Sequence, residues 1–149
     1  DFCIGPLLEI PDDLQFVPIV SYESMLITNK DHPLASKKRV TLKDISQYPL
    51  VLPPRQLSTW RLVEGVFTQH NLTYDVKLEV GGWEVIKKYV ELGLGISIVM
   101  SICLTGDENL AAIPVKKHFP NRTYGIVTRK GRIQSAQAKR FIEMLKPEG

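Results

Sequence analysis

The histidines and cysteines of this sequence are the side chains best suited to hold a metal or act as nucleophiles. His32, His70 and His118 lie in unrelated contexts, and no Cys-x-x-Cys or His-x-x-x-His spacing supplies a ligand set. Cys3 and Cys103 lie far apart in apolar surroundings, which favours free thiols over a disulfide. The sequence therefore predicts no metal site.

Other catalytic signatures are incomplete. The stretch 95–99 (GISIV) begins like a nucleophile elbow, but it lacks the closing glycine, and Ser97 falls inside a predicted strand. Gly93-Leu94-Gly95 follows a predicted helix, whereas a dinucleotide-binding loop precedes one. Scattered carboxylates such as Glu64, Glu84 and Glu91 are more typical of solvated helix faces. We expect no cofactor and no enzyme activity.

Two predicted helix starts that follow strands remain as a candidate binding site. In an open α/β sheet such loops lie at the carboxyl ends of strands, where ligands bind. Their backbone amides and nearby hydroxyls favour a small anion or carboxylate. Ser58 could equally be a simple helix cap, and Arg55 could bind a carboxylate or simply be solvated. The candidate residues are Arg55, Gln56, Ser58, Thr59, Gly81, Gly82 and Trp83.

Hydrophobic periodicity predicts strands that alternate with helices. Thr41 and Asp44 have the spacing of a capping box, and Ser58 or Thr59 can cap a helix carrying Trp60. The next helix, from Trp83, has a predicted polar face of Glu84, Lys87, Lys88 and Glu91. The last helix follows Ser135 and stops at Pro147. This alternation predicts an α/β fold with a mainly parallel sheet. The predicted strands are 2–5, 16–20, 24–28, 50–52, 75–80, 96–100, 110–115 and 123–128.

Gly93 and Gly95 stand between a predicted helix and a buried strand. Gly93 suits the left-handed position that closes a helix, and Gly95 allows the backbone to approach a neighbour closely.

Composition is that of a globular protein, with 44% hydrophobic and 23% charged residues among 149. No apolar run is long enough to span a bilayer, and the first residues do not resemble a signal peptide. The sequence begins at Asp1 without an initiator methionine, so a processed chain or a fragment is expected. The net charge of +3 is mild. Basic clusters at 37–39, 116–118 and 129–132 are scattered along the sequence, which argues against a nucleic-acid face.

Three segments together resemble the effector-binding (substrate-binding) domain of LysR-type transcriptional regulators. Residues 25–52 (MLITNKDHPLASKKRVTLKDISQYPLVL) resemble that family's strand, His-Pro-Leu-Ala turn and short helix. Residues 83–99 resemble its helix and Gly-x-Gly turn, and residues 122–145 its return strand and terminal helix. Within the family, the sulfur-assimilation branch looks nearest, although that branch carries a hydroxyl residue where this sequence has Gly81.

The resemblance implies a fold like that of type II periplasmic binding proteins, with two α/β subdomains joined by two crossing strands. It implies a partial first subdomain from residues 1–20 and 99–149, and a second from residues 21–98. The family's winged helix-turn-helix has no counterpart here. The loop of Arg55 to Thr59 and the loop of Gly81, Gly82 and Trp83 match its effector contacts.

The resemblance also implies a function: a small anionic metabolite binds between the subdomains and controls DNA binding by the intact protein. A periplasmic solute-binding protein is the alternative, and an α/β enzyme is a third. A cytoplasmic homo-oligomer is expected, without membrane contact, that reaches DNA only through an amino-terminal domain missing from this sequence. The helix of Trp60 to His70 is a candidate interface because Leu62 and Val66 lie off its apolar stripe, although both could be core residues.

Overall fold

A computed structural model of the chain describes residues 2–7 and 9–146. The chain separates into a terminal unit, residues 1–22 and 121–149, and a central unit, residues 23–120. None of the described helices is both long and apolar enough to cross a membrane. In order, the elements are β1 (Phe2–Pro6), β2 (Leu14–Tyr22), β3 (Ser24–Asn29), α1 (Leu42–Ser46), β4 (Leu50–Leu52), α2 (Ser58–Gln69), β5 (Val76–Glu79), α3 (Trp83–Glu91), β6 (Ser97–Met100), a 3-10 turn (Ser101–Cys103), β7 (Leu110–Pro114), β8 (Arg122–Arg129) and α4 (Ala136–Leu145).

The central unit contains a mixed sheet. β3 lies between β6 and β7 and is antiparallel to both. β4 and β5 pair in parallel, and a parallel bridge between Leu50 and Ile96 joins β4 to the β6 side. The prediction of a mainly parallel sheet is therefore wrong for the two strand pairs that contain β3, because β3 runs opposite to both of its neighbours, β6 and β7.

Helices cover both faces of the central sheet, as β4 shows. Its Leu50 and Leu52 are buried in the core that contains α1 and α2 residues. Val51, between them, is buried with Ile86 and Val90 of α3. Alternate side chains of a strand point to opposite faces of the sheet. Because both faces of this sheet are covered, all three residues of β4 are apolar.

The connection from α3 to β6 confirms both glycine predictions. Gly93 has a φ of 75°, the left-handed conformation that ends a helix. A Cβ atom on Gly95 would lie 2.6 Å from the backbone oxygen of Pro49, because the backbones of residues 49 and 95 run side by side. The predicted capping box at the start of α1 is also present, with Thr41 and Asp44 bonded reciprocally.

The terminal unit contains β8 between β1 and β2, antiparallel to both, together with α4. Ser135 caps α4 as predicted, and the predicted stop at Pro147 lies outside the described residues. Residues 99–120, which the sequence analysis assigns to the first subdomain, lie in the central unit instead. The reason is that β7 pairs with β3, and Val115 and Phe119 are buried in the central core.

Candidate functional site

The two predicted binding loops leave the same edge of the central sheet. β4 and β5 are parallel neighbours, with Leu52 opposite Glu79 and the Val80 amide donating to the Leu52 carbonyl at 3.0 Å. Residues 53–57 follow β4 and residues 80–82 follow β5, and each loop leads directly into a helix. Since parallel strands end at a common edge, the starts of α2 and α3 are brought to one side of the sheet.

The start of α2 differs from the prediction. The N-cap is Leu57, with an extended backbone, so Ser58 and Thr59 are the first residues of the helix rather than its cap. The turn before it is closed by the Leu57 amide, which donates to the Pro54 carbonyl at 2.9 Å. The Leu57 side chain has no oxygen that could accept hydrogen bonds from the amides of the first turn. The N-cap residue therefore makes no side-chain hydrogen bond at the positive end of this helix.

Arg55 is held over the sheet edge by three contacts. Its amide donates to Glu79 Oε1 at 3.2 Å, and its Nε lies 3.9 Å from Glu79 Oε2. Its guanidinium carbon lies 4.8 Å from the centre of the Trp60 ring, a cation–π contact. Both partners of the ion pair are exposed, so the pair itself is weak, and a ligand carboxylate could replace Glu79.

Glu79 is the residue of this site that the sequence analysis missed. It occupies a solvent-facing position in a strand of alternating polar and apolar residues, and this pattern by itself indicates only a solvated side chain. Only the pairing of β5 beside β4 shows that Glu79 lies opposite Leu52, next to the loop that carries Arg55. The signal would have been the adjacency of β4 and β5 in the sheet, which the sequence pattern does not indicate.

The start of α3 is built from two glycines and a tryptophan. Gly82 is the N-cap, with φ 89°, and its carbonyl accepts from the Ile86 amide at 3.1 Å. A Cβ atom added to Gly81 would meet no atom within 4 Å, so there is open space beside this residue. Trp83 is half-buried and packs against the core beneath α3, which fixes the loop to the sheet.

Lys87 of α3 is a correction to the predicted polar face. Its residue surface is only 4% exposed. The ammonium group donates at 2.8 Å to the Cys103 carbonyl and to Glu108, and lies 2.8 Å from Glu84. Conversely, the apolar side chains of Val85 in α3 and of Leu92, its C-cap residue, are exposed.

The short contacts of this cluster and the pKa shifts that they cause favour a fixed ion pair. Burial lowers the pKa of Lys87, but hydrogen bonds to Glu108 and Glu84 outweigh it, so the pKa is raised overall. The hydrogen bond from Lys87, with backbone amides of the 105–108 turn, lowers the pKa of Glu108 to about 2. Both groups therefore stay charged at neutral pH, and they tie the loop after β6 to α3.

The residues considered for catalysis have structural roles. Ser97 is buried and donates to the Val51 carbonyl at 2.6 Å, as expected for a core hydroxyl. The ring nitrogens of the histidines bond to backbone: His70 lies 2.8 Å from the Val66 carbonyl and His118 lies 2.9 Å from that of Val40. Over residues 2–7 and 9–146, no group of three or more side chains could hold a metal ion.

The predicted interface on α2 is not supported by its burial. Leu62 and Val66 are both buried within the central unit. The buried face of α2 is broader than the predicted stripe and includes both residues as well as Trp60, Val63 and Phe67. Leu62 and Val66 are therefore core residues.

Comparison with known proteins identifies the family. Residues 1–149 match the LysR substrate-binding domain, and the chain belongs to this family. It is 33% identical over 139 residues to the HTH-type transcriptional regulator SsuR and 31% identical over 137 residues to CysB, both from Burkholderia cenocepacia. These alignments cover 92% and 91% of this chain but 45% and 44% of the relatives. The chain thus spans less than half the length of these curated relatives. The predicted resemblance to the sulfur-assimilation branch is confirmed.

Solved structures confirm the fold. The effector-binding domain of QuiR in complex with shikimate superposes with a TM-score of 0.85 at 21% identity, covering 97% of this chain and 69% of that one. The cofactor-binding domain of the Cbl regulator gives 0.82 at 27% identity, covering 98% and 65%. The regulatory domain of Synechocystis CcmR in complex with 2-PG gives 0.87 at 24% identity, covering 97% and 71%. The fold is that of LysR-type effector-binding domains, which resembles type II periplasmic binding proteins.

Proposed function

We propose that this chain is the effector-sensing part of a LysR-type transcriptional regulator and binds a small anionic metabolite. The observation that carries the proposal is the position of two strand-to-helix junctions at one edge of the central sheet. Membership of a family of transcription regulators, and the small molecules bound by two structural neighbours, favour this function over a transport protein or an enzyme.

The ligand in this proposal contacts the seven residues selected from the sequence. Arg55 turns from Glu79 to a ligand carboxylate or oxyanion, and its contact with Trp60 keeps the guanidinium above the edge. The amides and hydroxyls of Ser58 and Thr59, with Gln56, complete one side. Gly81 and Gly82 leave space for the ligand to approach the α3 amides beside Trp83.

Control of DNA binding requires that the ligand bind one conformation of the intact protein more tightly than another. We propose that the intact regulator is a cytoplasmic homo-oligomer and that its two effector subdomains respond together to the ligand. Under this proposal the residues of the central unit hold the effector, and the signal passes to the DNA-binding part of the regulator.

Isothermal titration calorimetry of the chain against sulfur metabolites, small carboxylates and oxyanions tests the proposal. Arg55→Gln should weaken binding of the best ligand by about tenfold, near 1.4 kcal/mol. Glu79→Gln should strengthen it, because the competing carboxylate is removed. Arg61→Gln is the matched control, since Arg61 is an exposed arginine of α2, the helix that follows the Arg55 loop.

Absence of binding throughout this panel would contradict the sensing role. Equal weakening by Arg55→Gln and Arg61→Gln would show only a general charge effect and would reject the assigned position.

A further inference from the structure

Two basic segments that are far apart in sequence lie together in the central unit. Lys37, Lys38 and Arg39 form one segment, and Lys116 with Lys117 forms the other. The ring of His118, which follows the second segment, has its Nε2 2.9 Å from the carbonyl of Val40, which follows the first. The fold thus gathers two of the three clusters that appear scattered in the sequence; residues 37–39 and 116–118 are called the basic surface below.

The backbone under the basic surface is firmly anchored. Val40, Val115 and Phe119 are all buried in the same core cluster. The Lys37 amide donates to the Leu34 carbonyl at 3.2 Å, and the Phe119 amide donates to the Val115 carbonyl at 2.9 Å. The lysine and arginine side chains are exposed, so they stand on two fixed turns rather than on free chain.

The basic surface carries more positive charge than its acidic neighbours neutralise. Lys37 pairs with Asp44 at 2.6 Å, and Lys116 pairs with Glu23 at 3.3 Å. Lys38, Arg39 and Lys117 have no ion-pair partner within the described part of the chain. These three cations are therefore available to an external anion.

The surroundings of the basic surface favour a polyphosphate partner over a protein. Protein interfaces depend on buried aromatic or aliphatic anchors and have few charges at their centres. Among described residues, none between 30 and 48 or between 115 and 120 is a large exposed hydrophobic. Contacts to a phosphate backbone need only lysine, arginine and polar groups.

Since the family and the relatives that this chain matches are transcriptional regulators, we infer that the basic surface binds the phosphate backbone of duplex DNA without regard to sequence. In this proposal the contact uses none of the candidate effector-binding residues and does not require effector binding. It revises the expectation that DNA is reached only through an amino-terminal domain. Three cations would release about three counterions, so the logarithm of the affinity should fall with that of the salt concentration with a slope of about −3.

Fluorescence anisotropy of the chain with a labelled duplex of arbitrary sequence, over a sodium chloride series, tests the inference. The triple variant Lys38→Glu, Arg39→Glu, Lys117→Glu should lower the affinity at least tenfold and flatten the salt dependence. The matched control is Lys130→Glu, Arg132→Glu, Lys139→Glu in the terminal unit, which changes net charge equally at exposed cations. It should lower the affinity less than threefold.

Three results would overturn the inference. They are no binding by the unmodified chain even at low salt, equal losses in the two triple variants, and equally tight binding of poly-glutamate, which would indicate an acidic protein partner. Circular dichroism checks folding. If the glutamate variant is unfolded, the corresponding triple glutamine variant replaces it, and an unchanged salt slope in that variant would equally reject the inference.

Discussion

The central and terminal units bury their apolar residues to very different degrees. In the central unit, helices cover both faces of the sheet, and Phe67 is completely buried in the larger core cluster. In the terminal unit, the buried hydrophobic residues among those described are Ile126 and Val127 of β8. No residue of α4 is buried, and Phe141 and Met144 are 46% and 81% exposed.

This difference shows that a helix can form where the sequence predicts it without being buried. The apolar positions of α4 recur at helical spacing, and the helix forms where the pattern predicts it. Burial, however, depends on what else is available to pack against that stripe. Its main aromatic contact is the stacking of Phe141 on Phe2, with ring centres 5.5 Å apart. We therefore expect the central unit to carry most of the stability of the chain.

Phenylalanine truncation in each unit should give the largest difference. Phe67→Ala removes a fully buried ring and should lower the free energy of unfolding by about 4 kcal/mol. Phe141→Ala removes a half-exposed ring and one stacking contact, so its cost should be about 1 kcal/mol. Urea unfolding followed by tryptophan fluorescence reports the central unit, since Trp60 and Trp83 are the two tryptophans. Hydrogen exchange reports the terminal unit. Equal costs would contradict the comparison.

The buried ion pair of the central unit should give the next largest effect. Lys87→Met leaves the carboxylate of Glu108 without its cation and should cost about 3 kcal/mol. Lys88→Met is the control in the adjacent position, where the exposed pair with Glu91 should contribute less than about 0.5 kcal/mol. Both variants are compared by the same urea titration. Similarly small losses of unfolding free energy in the two variants would show that the ion pairs of Lys87 do not stabilise the central unit.

Lys87 also shows where the sequence ceases to predict the structure. A helical wheel places it beside Glu84, Lys88 and Glu91, and nothing local indicates that it is buried. Its environment is created by Glu108, which is 21 residues away and arrives with the loop after β6. A pairing between residues so far apart produces no periodic pattern in the sequence from which it could be predicted.

The sequence predicts only part of the candidate site for the same reason, because the rest depends on residues that are distant in sequence. Both loops were located because strand, loop and helix follow one another locally. The cap of α2 and the contact of Arg55 with Glu79 were not found, since they depend on the turn at Pro54 and on strand order. The antiparallel pairing of β3 also depends on distant segments, whereas the left-handed Gly93 is a local requirement and was predicted.

Acid should destabilise the central unit through Glu108 and Asp44. The hydrogen bond from Lys87 lowers the pKa of Glu108 from 4.5 to about 2, and the hydrogen bond from Lys37 lowers the pKa of Asp44 from 3.8 to about 2. A carboxyl group whose pKa is lowered in the folded state stabilises that state at pH values above its ordinary pKa. This contribution is lost as the pH falls toward the lowered pKa. Stability should therefore decline between about pH 4.5 and pH 2.

Thermal melts followed by tryptophan fluorescence over this pH range check the decline. Glu108→Gln with Asp44→Asn should flatten the dependence and lower the stability at pH 7. The raised pKa of Lys87 acts at the other extreme, since its contribution is present below pH 10.5 and is lost above it. An unchanged acid dependence in the double variant would place the sensitivity in other groups.

The smallest effects should come from two glycines with nearly the same backbone conformation, one in each unit. Gly93 has a φ of 75° and Gly131 a φ of 73°, and an added Cβ would meet no atom within 4 Å at either position. Alanine should therefore cost about 1 kcal/mol at each site from backbone strain alone. Gly5→Ala and Gly65→Ala are controls without a positive φ. Because the local cost is matched, hydrogen exchange should quicken in the central unit for Gly93→Ala and in the terminal unit for Gly131→Ala. Exchange that quickened in both units for either variant would mean that they unfold together, and the contrast in burial would then not be a contrast in stability.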